Sequence, residues 1–342
     1  MASKVRPECW KEEVMNKNIL YRSLSFIWRK TILKWYRNYK NNRVERYWAE
    51  HKVRRGKENK DKTFYVIRRR DLYCGLFSLV LTNLTRINEA VNKGYIPVID
   101  MQNDFNIYLA EDKIGKENAW EYFFEQPAGY SLQDISKSKN VIIGSGAVPA
   151  MFPYLDVRFL LGETGELEYW RELTRRYIRV NSSILEMVEK KYAEYFDSND
   201  KVLGVMLRGT DYTAGRPKNH PIQPTPTQAL QKVREIYNEQ KCTKVFLTTE
   251  DEIFYKVLKE NFGNLLVTNK KNYHKYCGDA IGKEDYAENE DRFSAGQEYL
   301  ISTLLLAKCN CLCAGCVSGS VGALLLTEGF EYTYLFDLGI YD

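Results

Sequence analysis

Apolar positions fall in two kinds of block along this chain, short runs of strand composition and longer runs with helical spacing. FYVIRR at residues 64–69 and YIPVIDM at 95–101 read as strands. Between them, LFSLVLTNLTRINEAVNKG is a long apolar segment that Gly75 opens and Gly94 closes as a C′ residue. The three together predict a βαβ unit. KNVIIGSGAV supplies another strand and a Gly-rich turn. Trp170, Leu173, Tyr177, Val180, Ile184 and Val188 then recur at helical spacing and predict one long helix from about Glu166 to Tyr195. Beyond residue 200 the alternation becomes regular. Strands are expected at 202–207, 244–248, 264–268, 309–314 and 332–336, and helices near 226–238, 251–261, 295–308 and 320–328. Such alternation implies a parallel sheet covered by helices on both faces. The expected fold class is α/β, with two facing Rossmann-like domains, a cleft between them and an N-terminal basic helical arm.

The arm has a pattern of its own. Leu20, Leu24, Ile27, Trp28 and Trp35 recur at helical spacing among Arg22, Arg29, Lys30, Lys34, Arg37 and Lys40. A basic amphipathic helix of this kind fits an anionic membrane surface, and equally fits docking of its apolar stripe on the body of the protein. EHKVRRGKENKDKT, residues 50–63, has almost no apolar content and reads as a linker or exposed turn. The expected divisions are therefore 1–63 for the arm and linker, 64–198 for a first α/β domain and 199–342 for a second. Within the first, Trp120, Tyr122, Phe123, Phe124 and Tyr130 cluster around Gln126 and Pro127. This density suits a core, and alternatively a sugar-binding cleft.

Charge sharpens the division. Residues 1–62 hold 18 Lys and Arg against 7 Asp and Glu, so the arm accounts for more than the whole formal charge of +5, and the remainder is acidic. No nucleic-acid module follows the basic stretch, so no nucleic acid is expected as a partner. With 342 residues, 44% apolar and 28% charged, the chain is long enough for two domains. It contains no apolar stretch near the roughly 18–20 residues of a membrane span and no signal-peptide core in MASKVRPECWKEE. A cytoplasmic protein is expected, peripheral at the inner membrane face if the arm binds lipid, with its eight cysteines as thiols. Cys309, Cys311, Cys313 and Cys316 invite a metal reading. On an extended strand, however, Cys309, Cys311 and Cys313 share one face as small apolar side chains and cannot wrap one ion, so no metal site is expected.

Candidate chemistry concentrates at the strand ends of the second half. VLGVMLRGTDYTAGRPKNHPIQPT, residues 202–225, ends a strand in Arg208 and Asp211 and reaches His220 just before a helix. Thr249, Glu250 and Asp251 follow the next strand, and SGSVG from Ser318 to Gly322, with Ser320 inside it, follows the fourth. In open α/β sheets ligands bind at the carboxyl ends of the strands. There an Arg fork and a helix N-terminus both suit a phosphate. Taken singly, Thr249 to Asp251 is also an ordinary capped helix start, and Ser-Gly-Ser an ordinary cap.

The order LGVMLRGTDY…NHPI, VFLTTED, SAGQEYLISTLLLAK and SGSVGALLL resembles the nucleotide-binding half of the fucosyltransferase superfamily that contains the α1,2-, α1,6- and protein O-fucosyltransferases. The resemblance covers about residues 64–342 and is best over 200–325. It implies a GT-B-like fold, a GDP-fucose donor, no required cofactor or metal, and inverting transfer to a hydroxyl of a glycan or lipid-linked oligosaccharide. By position it implies that Arg208 binds the donor pyrophosphate beside Asp211, and that His220 approaches the donor. Gly75 matches a donor-side loop, Thr249, Glu250 and Asp251 lie near the nucleotide, Glu298 meets guanine or ribose, and Ser318 and Ser320 contact phosphate. The chain departs from the pattern at Met206 and Gly209, where the family keeps a His and a second Arg, and Arg216 or Lys218 is the candidate replacement cation. TAGRPKN lacks the carboxylate that α1,6 enzymes place before their His-Pro, which leaves the general base with Asp211 first and Asp100 or Asp104 second. Transfer from another nucleotide sugar, or a non-catalytic nucleotide-binding or membrane-associated role, fits the same residues.

Overall fold

The computed structural model describes residues 34, 41–70, 74–269 and 292–342, with the side chains of 210, 211, 214 and 292 outside that description. The amphipathic stripe expected at residues 20–35 lies outside it, apart from the helical backbone at 34. The chain divides into two units, Met1–Ala49 and Glu50–Asp342. In the first, residues 41–48 are helical. Among its described residues the second holds two sheets.

The first sheet has the order β1 (His51–Val53), β4 (Val141–Ile143), β2 (Phe64–Ile67), β3 (Ile96–Ile99). β2 runs parallel to β3 and β4, and β1 pairs antiparallel with β4. The stretch expected to be a linker thus contributes an edge strand. Its exposed His51 and Lys52 needed no apolar pattern, because an edge strand gains its backbone bonds from one neighbour and leaves its side chains in water. α1 (Leu76–Asn92) crosses from β2 to β3 and ends at Gly94, whose φ of 71° is the left-handed position expected of a C′ glycine. The opposite edge, β3, is closed by side chains. Gln126 accepts from Ile99 N and donates to Ile99 O, while Asn118 donates to Ile99 O and accepts from Met101 N. Both amides are buried in an aromatic layer where Trp120, Phe123 and Phe124 are fully covered. That density is core.

The long helix expected over 166–195 is two helices after α2 (Val157–Leu160), namely α3 (Leu167–Tyr177) and α4 (Ser182–Tyr195). Between them the backbone leaves the helix to pair with the aromatic layer. Glu125 N donates to Arg179 O, Asn181 N donates to Phe123 O, and Phe124 bridges Val180. Helical spacing of side chains does not reveal such tertiary bonds.

The second sheet is wholly parallel, in the order β7 (Leu266–Val267), β6 (Lys244–Thr248), β5 (Val202–Met206), β8 (Cys311–Gly315), β9 (Tyr332–Phe336). Its helices are α5 (Thr210–Gly215), α6 (Pro226–Glu239), α7 (Glu252–Phe262), α8 (Arg292–Ala307) and α9 (Ser318–Leu326). The sidedness of the sheet follows from its two cores. Leu203, Val205, Cys311 and Cys313 meet Val233 and Leu258 of α6 and α7, whereas Val202, Met206, Leu312 and Ala314 meet Leu305 and Val321 of α8 and α9. Cys309 precedes β8 and sits in the second of these cores, so it does not share a face with Cys311 and Cys313 as the sequence suggested. The strand begins two residues later than expected. The sheet thus divides the thiols, with Cys309 and Cys316 in the α8–α9 core and Cys311 and Cys313 in the other. Burial also raises Cys313 and Cys316 to about 12, so both stay protonated thiols at neutral pH.

The α8–α9 core continues into the first sheet's helix. Tyr65, Phe77 and Leu81 belong to the same cluster as Met206 and Phe246. α1 and α9 pack so closely that a Cβ on Gly322 would fall 2.2 Å from Phe77.

Candidate functional site

The order β7-β6-β5-β8-β9 reverses direction at β5, because the chain moves from β5 outward through β6 to β7 and then returns to β8 on the other side. Crossovers on opposite faces diverge there and open a crevice at the carboxyl ends of β5 and β8. Register fixes what meets at that end. Met206 is paired with Thr248 on one side and Ala314 on the other. The segments after β5, β6 and β8, which carry Arg208, Thr249 to Asp251, and Ser318, therefore emerge side by side.

Arg208 is held on two sides. Its Nε lies 3.4 Å from Glu250 Oε1, and its guanidinium lies 4.9 Å over the Tyr212 ring. Tyr212 in turn meets the His220 ring edge to face, 5.5 Å between centroids. Arg208, Glu250 and His220, three residues expected at the site, are thus joined into one cluster by a residue the sequence reading passed over. The available signal was the spacing of four residues between Arg208 and Tyr212 across a helix start. His220 Nδ1 is 3.0 Å from Lys218 O; a carbonyl only accepts, so Nδ1 carries a proton and donates it to that oxygen. Arg216 and Lys218 are exposed on the intervening loop. Asp211 lies in α5, and its side chain is outside the described residues.

The other expected residues divide by what already occupies them. Thr249 and Asp251 build a turn. Asp251 N donates to Thr249 Oγ1, and the Asp251 carboxylate caps α7 by accepting from Ile253 N at 2.7 Å and Phe254 N at 3.2 Å. Glu250, between them, reaches Arg208. Ser320 is fully buried. Its hydroxyl accepts from Val317 N and lies 2.7 Å from Gly315 O and 2.8 Å from Val317 O, to one of which it donates, so it is committed to the turn before α9. Ser318 is half-buried at the start of that helix, whose N-cap Val317 carries no polar side chain. A helix start leaves backbone N–H groups without intrahelical partners, which suits an anion.

Gly209, one of the two departures from the resembled pattern, has a steric reason. A Cβ on Gly209 would fall 2.0 Å from Asp251 Oδ2, so the carboxylate that caps α7 occupies the space of any side chain at 209. Met206 fills the space beside Gly319, where a Cβ would lie 2.3 Å from its Cε and 2.4 Å from Tyr299 Oη. Glu298 is half-buried on α8 beside that Tyr, and its carbonyl accepts from Ser302 Oγ at 2.8 Å. Gly75 is exposed at the start of α1 with nothing near an added Cβ, so no steric demand explains a glycine there. Asp100 is tied into its own turn, accepting from Gln102 N, Asn103 N and Asn103 Nδ2.

Among the described residues, Thr248 Oγ1 at the end of β6 and Gln223 Oε1 against Gly315 at the end of β8 are buried with no hydrogen-bond partner. Native interiors rarely leave such atoms alone, and they commonly mark where a ligand or water binds. Among the described residues no group of three or more His, Cys, Asp or Glu is arranged to hold a metal ion, and no helix is long and apolar enough to cross a membrane.

No protein-family profile and no curated protein sequence matches the chain. Solved structures similar to it include the Bradyrhizobium fucosyltransferase NodZ (19% identity, TM-score 0.47, 78% of this chain and 94% of that one). POFUT1 in its apo form is similar at 11% identity and a TM-score of 0.48, over 82% of this chain and 100% of the other. A mutant of Arabidopsis thaliana FUT1 in complex with GDP is similar at 11% identity and a TM-score of 0.46, over 80% and 70%.

Proposed function

We propose that the chain is an inverting glycosyltransferase that moves fucose from GDP-fucose to a hydroxyl of a glycan or lipid-linked oligosaccharide. The observation that carries this reading is the place of Arg208, an always-charged fork held by Glu250 and Tyr212 at the strand-order reversal of a parallel sheet. A diphosphate is the ligand such a fork grips bidentately, and the start of α9 adds backbone donors and the positive end of a helix dipole. Both oppose charge where it develops as GDP departs. In the reaction the acceptor oxygen bonds to the anomeric carbon, the bond from that carbon to the phosphate oxygen breaks with its electrons leaving on GDP, and the acceptor proton passes to a carboxylate. Asp211 is assigned that role, since the Asp100 carboxylate is spent on its turn. Glu298 is assigned to the nucleoside, together with the Thr248 hydroxyl, which has no hydrogen-bond partner among the described residues. No metal is needed in this scheme, so activity should survive chelation by EDTA. The basic arm is assigned to an anionic membrane surface from the cytoplasmic side, and liposome flotation with and without residues 1–49 tests it.

A panel of nucleotide sugars tests the donor by nucleotide release. GDP-fucose alone should support release, and Arg208→Ala should abolish it while the melting temperature holds. Release with a different donor would reassign the sugar, binding without turnover would favour a non-catalytic nucleotide-binding role, and failure to bind any nucleotide would sink the reading.

A further inference from the structure

The His220 loop is held from outside its own sequence neighbourhood by the last residues of the chain. Asn219 N donates to Tyr341 O, Tyr341 N donates to His220 O, and Ile222 N donates to Gly339 O, each at 2.9 Å. Pro221 and Ile340 form the antiparallel bridge between these bonds. On its far side the loop is pinned by Gln223, which is buried against Gly315 at the end of β8 and donates to Pro221 O. The loop is therefore clamped between the sheet and the tail. Asn219 takes a left-handed φ of 62° within this clamp, a conformation that Asn tolerates better than most residues.

The tail does little else that is visible in its burial. β9 ends in the buried Phe336, whereas residues 337–340 are exposed and Ile340 keeps 60% of its surface in water. Leu338 keeps 37% of its surface in water and Tyr341 is half-buried, so the segment is covered only in part and adds modestly to the stability of the core. What it does supply is three backbone bonds to one loop, and that loop carries the His220 ring against Tyr212, which carries Arg208.

We propose that Gly339–Tyr341 is a positioning strap of the ligand site, fixing the His220 loop so that His220 and, through Tyr212, Arg208 are set before the nucleotide arrives. The inference rests on the donor-site reading above. Without the strap the loop must be ordered at the moment of binding, and that cost appears as weaker affinity. Ordering by one or two backbone bonds is worth about a tenfold change in dissociation constant.

The test compares the full chain with Tyr341→Pro, which removes the donor to His220 O, and with Tyr341→Phe, which keeps it. Proline also biases Ile340 toward extended backbone, the conformation a bridge already uses. GDP binding is measured by calorimetry, and KM and kcat with GDP-fucose. Tyr341→Pro should weaken GDP and raise KM about tenfold with a smaller change in kcat, Tyr341→Phe should match the parent, and both should melt within about 3 °C of it. Should Tyr341→Pro fail to fold, a chain ending at Asp337 carries the same expectation. Amide exchange at Asn219 and Ile222 reports whether the loop was released. Faster exchange with unchanged GDP affinity and KM would overturn the strap's role and leave the donor reading standing. Failure of the parent chain to bind any nucleotide would overturn the donor reading, and the strap with it.

Discussion

Gly209 carries the clearest consequence at the scale of single residues. The resembled motif places a second Arg there, but the Asp251 carboxylate occupies the space a Cβ would need. Gly209→Ala is expected to cost about 1–3 kcal/mol, because the carboxylate must leave its capping position or the strand end must shift. Gly209→Arg should destabilise at least as much and not raise nucleotide affinity; urea unfolding and GDP titration of both variants check this. Asp251→Ala removes the α7 cap and should cost about 1 kcal/mol by itself. Legibility in the sequence differed among these residues for physical reasons. Arg208 was readable because a charge at the end of an apolar strand has few structural uses. Ser320 and Asp251 were ambiguous, since capping and ligand binding call for the same side chains, and only their hydrogen bonds show the turn role. Tyr212 was hidden, because one aromatic residue in the first turn of a short helix stands out only once the cation over its ring is seen.

At the scale of elements, the parallel strands of the second sheet were legible because buried strands read as continuous apolar runs. β1 and the break between α3 and α4 were not, since both depend on backbone partners distant in sequence. The α1–α9 contact is of the same kind, and it is tight enough to probe. Gly322→Val would drive a branched side chain into Phe77 and is expected to lower stability by about 1–3 kcal/mol, measured by urea unfolding. The amino-terminal ends of the strands offer a pH test. Glu331 lies 2.7 Å from Lys201 and accepts from Asn310, and Lys201, followed by Asn310, holds its carboxyl below the ordinary range. A depressed folded-state value means that the stabilisation is present above the unfolded value of about 4.3 and is lost as pH falls through the folded one. Glu331→Gln should therefore melt slightly below the parent at pH 7, and the gap should close on acidification. The effect is small because the pair is solvated. A gap that persists unchanged in acid would mean that Glu331 acts by packing.

For Glu50–Asp342 as a whole, one question is whether two sheets make two folding units. A first half and a second half could be inferred from the sequence because each has its own strand–helix alternation, but the core between them could not, since it is made by helix faces that meet only in three dimensions. Phe77 and Leu81 of α1 share a cluster with Met206, Leu305 and Val321, so neither half can lose its structure without exposing apolar surface of the other. Shared burial of this kind couples the halves and favours one cooperative transition. The chain carries separate reporters for the two. Trp120 and Trp170 are buried with the first sheet's helices and turns, whereas Cys309, Cys311, Cys313 and Cys316 are buried in or beside the second sheet. With Trp10, Trp28, Trp35 and Trp48 replaced by Phe, fluorescence follows the first set, and the slowly reacting class of thiols follows the second. The two urea transitions should coincide in midpoint and slope. If the thiols become reactive at a lower urea concentration than the tryptophans become exposed, the second half unfolds on its own, and the shared core is a contact between independent domains. Gly322→Val discriminates further, because in a single cooperative unit it shifts both midpoints together, and in two units it uncouples them.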